Sequence, residues 1–204
     1  VIKALNRSGI GEIPALYKAL KFIVDILSGD SKVAPKPDLI NLSLGSPDPF
    51  PQFIHDLIKT IYKYNVPIVC AAGNGGERGE RVNYPAAYPE CFAIGAYDEN
   101  GKIASFSARG PQLDFVAPGV KVPACWINNT YREVRGTSFA APWTSAVIAL
   151  MLAKHKKQEK ETGLNDCRTI KQIREHLSKH SENAVASHNE EYGWGIIDPS
   201  AILD

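Results

Sequence analysis

The sequence predicts an α/β fold in which a parallel β-sheet is flanked by helices on both faces. Two observations carry this prediction. Short, nearly continuous apolar runs alternate with segments whose apolar residues recur every three or four positions, and Gly or Pro bounds most of the runs. Strands that are apolar on both sides need cover on both sides, and intervening helices supply it. At 204 residues the chain has the size of one domain, and 44% apolar with 22% charged residues excludes a disordered or low-complexity class.

The elements follow in order. Val1, Ile2, Ala4 and Leu5 read as a strand entered partway, as in a piece of a longer protein, and their apolar side chains predict association or poor solubility of the piece alone. Leu16, Leu20, Ile23 and Leu27 fall at helical spacing and Gly29 follows as a stop. Residues 38–44 read as a buried strand ending at Gly45, Ile54, Leu57, Ile58 and Ile61 as a second helix, and residues 66–72 as a buried strand closed by Gly73. Two short strands are expected at residues 91–96 and 113–117. Residues 139–152 are almost wholly apolar and read as a buried central helix, too short and too interrupted by Pro142 and Thr144 to span a membrane. The charged stretch 154–161 reads as its solvated end, and Ile170, Ile173 and Leu177 as a last surface helix. No repeat or linker interrupts the chain, so residues 1–204 form part of one domain.

Charge narrows the partners. Twenty-three basic and 22 acidic residues leave +1, which gives no global field for nucleic acid or an anionic membrane, and no membrane span is expected. The four cysteines, Cys70, Cys91, Cys125 and Cys167, match no zinc or redox spacing; most read as core thiols, one disulfide stays open, and no compartment follows.

Three segments carry chemistry. Residues 136–142, Gly-Thr-Ser-Phe-Ala-Ala-Pro, form a small-residue turn leading into the buried helix, which sets Ser138 at a helix N-terminus where free N–H groups favour developing negative charge. The bland alternative is that Thr137 or Ser138 caps the helix. Residues 71–76 end a buried strand in Asn74 between glycines, where an amide N–H could face an oxyanion or the Asn could simply shape a turn. Residues 41–45 run another strand into Gly45, whose backbone could pair with an extended peptide.

Together, and in this order, these segments resemble the subtilisin-like serine proteases, whose Gly-Thr-Ser-x-Ala-x-Pro pattern is spelled by residues 136–142. The resemblance extends through Tyr84, Pro85, Ala86 and Tyr88, through Ala104 to Ser107 and Gly110, through Ala117, Pro118 and Gly119, and weakly to Tyr192, Gly193 and Gly195. It implies a serine endopeptidase with Ser138 as nucleophile. Asn74 would be the oxyanion donor; Ser43, Leu44 and Gly45 would form the wall that pairs with a polypeptide substrate; Ala72, Gly73 and Asn83 would line the S1 pocket; and Gly136 and Thr137 would also bind substrate. Trp143, Thr144 and Ser145 stand where the family usually shows His, Val and Ala-Gly, so local repacking around Trp143 is expected.

The family's base and its orienting acid are missing. None of His55, His155, His176, His180 and His188 stands in the family's His-Gly-Thr-His setting, and no Asp is followed by Ser-Gly or Thr-Gly. The family order is Asp, His, Ser, so both are expected on an N-terminal segment or chain upstream of this one. His55 is expected on the surface of the second helix rather than as a substitute base. No cofactor is required for the chemistry, and structural calcium draws no support from this segment: Asp114 with the backbone near Ala86 and Tyr88 resembles the family's weaker cation site, but Gln112 replaces a carboxylate. The competing reading is a pseudoprotease that binds or scaffolds peptides without cleaving them.

Overall fold

The computed structural model describes residues 1–163, 167–182 and 187–203. Four parallel strands, β1 (Ile40–Leu42), β2 (Ile68–Ala71), β3 (Cys91–Tyr97) and β4 (Phe115–Pro118), lie side by side in sequence order. Ile40 is in register with Ile68, Ile68 with Cys91, and Ile94 with Phe115. Helix α1 (Ile13–Ser28) precedes β1 and α2 (Gln52–Lys63) joins β1 to β2.

Successive strand side chains point to opposite faces, and the core divides accordingly. Ile68 and Cys70 face Leu16, Leu20 and Ile23 of α1 and Ile54, Ile58 and Ile61 of α2. Val69, Ala71, Phe92 and Ile94 face Ala140, Ala141, Ile148 and Met151 of α3 (Thr137–Thr162) and Ile170, Ile173 and Leu177 of α4 (Ile170–His180). Helices therefore cover both faces, as the apolar strands require. Helix α1 ends where Gly29 adopts φ 91°, a conformation cheap only for glycine. Helix α4 starts from a capping box in which the Thr169 hydroxyl accepts from the Gln172 N–H.

Several expectations are corrected. Residues 1–5 are not a strand: Leu5 makes only an isolated bridge to Gly11, and Val1 and Ile2 are exposed. A strand without a neighbour to take its N–H and C=O groups has nothing to hold it extended. The strand at residues 38–44 shortens to three, because Ser43, Leu44 and Gly45 leave the sheet. Helix α4 is not the last; α5 (Pro199–Leu203) follows, with the Asp198 carboxylate accepting from the Ser200 N–H at 2.9 Å. An antiparallel hairpin of β5 (Val122–Trp126) and β6 (Thr130–Val134) stands between β4 and α3, turned by Asn128 and Asn129 at φ 58° and 56°. Two consecutive asparagines are a recognisable signature for such a turn.

None of the four cysteines forms a disulfide among the described residues; three of them are buried and Cys125 is exposed. Burial pushes the Cys70 thiol well up, and the adjacent Cys91 thiol acts in the same direction, so Cys70 holds little of the thiolate that reactive chemistry needs. No helix among the described residues is long and apolar enough to cross a membrane.

Candidate active site around Ser138

The site lies where β2 ends and α3 begins. Gly136 adopts φ 142°, so the turn needs glycine for its backbone, while a Cβ there would make only ordinary contact with the Asn74 amide nitrogen at 3.5 Å. Its N–H donates to the Gly119 carbonyl at 2.9 Å. Gly119 in turn packs where a Cβ would meet the Ala96 side chain at 2.5 Å. Two glycines thus let β4's exit and α3's entry come together.

Asn74 supplies the cap that α3 lacks locally. Its Oδ1 accepts from the Thr137 N–H at 2.9 Å and from the Thr137 hydroxyl at 3.1 Å. A backbone N–H only donates, so this pairing fixes the amide's orientation and leaves Nδ2, at the helix end, a donor without an acceptor among the described residues. Thr137, buried, also accepts from the Gly73 N–H at 3.2 Å. Helix capping is therefore the work of Asn74 and not of Ser138. The Ser138 N–H keeps no acceptor among the described residues, as expected in a first helical turn.

Ser138 is half-buried, and its hydroxyl donates a long 3.4 Å bond to the Ser43 carbonyl. The Ser43 hydroxyl donates to the Ser138 carbonyl at 2.8 Å. This second bond has a cause further along the helix. In a regular helix that carbonyl would accept from the N–H four residues on, at position 142, and Pro142 has no N–H.

The remaining predicted wall residues assemble around the same point. Asn83 donates its backbone N–H to the Ala72 carbonyl at 2.8 Å, while Ser46 and Tyr84 exchange backbone bonds of 2.8 Å each. Residues 83–84 therefore lie between the 43–46 segment and the 72–73 segment. Gly45 is exposed and has the Tyr84 carbonyl 2.9 Å from where a Cβ would stand; Gly73, at φ 115°, has the Asn83 amide at 2.8 Å. Either Cβ would push this seam apart. Ser43, Leu44 and Gly45 line, with Leu5, Leu16 and Phe50, a cleft of ≈ 300 Å³. The positioning roles of Pro142 and of the Ser46–Tyr84 bridge were not evident from sequence; a Pro six residues into a helix was the available signal for the first.

With this geometry in hand, the comparison with known proteins is direct: residues 15–195 match the model of the subtilase family. The chain belongs to the subtilase family. It is 33% identical to subtilisin DY of Bacillus licheniformis and 34% identical to subtilisin Savinase of Lederbergia lenta, in each case over 98% of this chain. It is 31% identical to the minor extracellular protease Epr of Bacillus subtilis over 98% of this chain. The chain spans 66%, 65% and 28% of these three curated relatives respectively.

The histidines of this subtilase chain are engaged away from Ser138. His55 is not a surface residue of α2: it stacks on Tyr88 at 3.7 Å and pairs with Glu90 at 3.0 Å. His188 meets the Leu113 carbonyl at 2.6 Å, and His176 and His180 meet the carbonyls of Ile202 and His176. Asp114 is buried and paired with Arg174, and its second oxygen accepts from the Ala93 N–H at 2.8 Å. A carboxylate neutralised by a guanidinium offers a cation little. Trp143 is half-buried against the α3 face of the core, and Arg135 lies over the Phe106 ring at 5.9 Å.

Proposed function

We propose that this chain is the C-terminal, nucleophile-bearing part of a serine endopeptidase domain that hydrolyses peptide bonds through an acyl-enzyme on Ser138. The observation that carries the reading is the amide of Asn74. With its oxygen held by Thr137, its Nδ2–H and the Ser138 N–H are both left to donate at one helix end, the arrangement that stabilises a tetrahedral oxyanion.

The Asp and His come from polypeptide upstream of Val1. That His takes the Ser138 hydroxyl proton as Oγ attacks the substrate carbonyl, then delivers it to the departing amine; water, deprotonated by the same His, releases the acid and restores Ser138. An extended polypeptide lies along Ser43, Leu44 and Gly45. Its side chain before the scissile bond enters between Ala72, Gly73 and Asn83, a neutral surface that disfavours a strongly charged residue. Peptide hydrolysis by this route draws on no cofactor.

The test is intact mass of the full-length or co-purified protein after treatment with a fluorophosphonate serine probe, beside a Ser138→Ala control. Labelling that vanishes in the control supports the reading. No labelling, with the upstream Asp and His present and the protein folded, overturns it in favour of a peptide-binding pseudoprotease. The isolated 204-residue chain is expected to show no amidase activity above background.

A further inference from the structure

Far from Ser138, the C-terminal half of α3 meets α4 and α5 in a cluster that the peptidase chemistry does not use. His155 of α3 is 8% exposed, Cys167 just before α4 is 3% exposed, and His176 of α4 is half-buried. Their ligand-capable atoms all lie within 4.8 Å of one another. The end of α3, the stretch before α4 and α4 itself, consecutive along the chain, thus bring one sulfur and two imidazoles together.

A second observation concerns orientation. The Nε2 of His176 lies 3.1 Å from the carbonyl of Ile202 in α5. A carbonyl only accepts, so the proton sits on Nε2 and the lone pair on Nδ1, the tautomer arrangement typical of metal-bound histidines. The neighbouring Lys154 donates to the Leu203 carbonyl at 2.5 Å, which fastens the same stretch of α5. The residue next to the orienting carbonyl is therefore itself tied to α3.

We propose that His155, Cys167 and His176 bind a zinc ion, with water in the fourth position. One thiolate with two neutral imidazoles suits a borderline-soft divalent metal; with no carboxylate in the set, calcium and magnesium find no ligand of the kind they need. In a tetrahedral zinc site such donors stand about 3.3–3.6 Å apart, so small side-chain rotations close the cluster on the metal. The Cys167 thiol gives up its proton on binding. His155 and Ser138 are separated along α3 by about 25 Å at the helical rise, so the site fastens the far end of the helix and takes no part in peptide hydrolysis.

The experiment is titration of the metal-free full-length protein with Co²⁺, followed by displacement with Zn²⁺. The expected result is a cobalt–thiolate charge-transfer band that zinc abolishes. It persists in Cys125→Ser, which removes the exposed thiol, and is lost in Cys167→Ser. His176→Gln is expected to weaken binding on the order of 100-fold. No band in wild-type protein whose thiols are reduced and whose fold is intact overturns the proposal, as does a band unchanged in folded Cys167→Ser. Should Cys167→Ser fail to fold, the Cys125→Ser protein decides: a band and a zinc-dependent rise in Tm support the site, and neither of them overturns it.

Discussion

The hydroxyl of Ser43 donates 2.8 Å to the carbonyl of Ser138, filling the place that a main-chain N–H would occupy if residue 142 were not proline. The substrate-side segment and the helix bearing the candidate nucleophile are thereby coupled through a backbone group. Ser43→Ala leaves that carbonyl unsatisfied in a half-buried setting and is expected to cost about 1–3 kcal/mol. Pro142→Ala restores an N–H at the right position, so the Ser43→Ala penalty should shrink in that background. A double-mutant cycle by denaturant unfolding measures the difference, and fully additive effects would refute the coupling.

Asn74 serves two ends of one amide, and they can be separated. Asn74→Ala removes the acceptor that caps Thr137 and the donor at the helix end together; it should lose about 0.5–2 kcal/mol of stability. In protein completed by the upstream Asp and His, its kcat should fall about 10²- to 10³-fold, the loss known for the oxyanion asparagine of subtilisin itself and carried over here by family likeness. Asn74→Asp keeps an acceptor for the Thr137 N–H and places a negative charge at a helix N-terminus, which favours the fold. It also sets that charge against the oxyanion. Tm near wild type with kcat reduced at least as far as in Asn74→Ala is the expected outcome, and wild-type kcat in the Asp variant would remove Asn74 from the chemistry.

The sheet, four of its flanking helices and the turn at residues 136–142 were legible because each has a local cause. Apolar period gives α1, α2 and α4; unbroken apolar runs give β2 and β3; glycine marks where α1 and β2 stop. What escaped the sequence depends on distant partners. Residues 1–5 carry a strand's composition without a strand's neighbour. The α3 cap comes from Asn74, 63 positions away from Thr137, and His55 is drawn off the surface by Tyr88 and Glu90 of another segment. The short α5 lacks an apolar period, and only Asp198 before Pro199 signals its start.

Gly136→Ala should be costly for reasons visible in one turn. The backbone φ of 142° is outside the range that an L-residue adopts without strain, and the new methyl group would stand 3.5 Å from the Asn74 amide nitrogen. Contact at that distance is tolerable, so the penalty is mainly conformational, about 1–3 kcal/mol. Relief of the strain would rotate the first turn of α3 and move Ser138 relative to Asn74. The variant is therefore expected to lower Tm and, in completed enzyme, to lower kcat more than KM rises; unchanged kinetics with reduced Tm would show the turn to be structural alone.

Asp114 and Arg174 tie β4 to α4 beneath the sheet's edge, with Arg174 also donating to the Cys91 carbonyl at 2.8 Å and lying 4.4 Å from the centre of the Phe92 ring. Burial pulls the guanidinium down from its ordinary value but leaves it charged, so the pair is ionic. Removing one member of such a pair strands the other charge. Arg174→Leu should therefore cost about 3–5 kcal/mol, whereas Asp114→Asn with Arg174→Leu should recover part of that loss, because no uncompensated carboxylate remains. The same logic reaches the cation expectation at Asp114: with Arg174 present, added calcium should not raise Tm through this carboxylate, and only Arg174→Leu should gain a calcium-dependent rise. Thermal unfolding with and without calcium checks wild type, both of these variants and Asp114→Asn alone, and a calcium-dependent rise that is present in wild type and lost in Asp114→Asn would show that the carboxylate serves a cation despite its guanidinium partner.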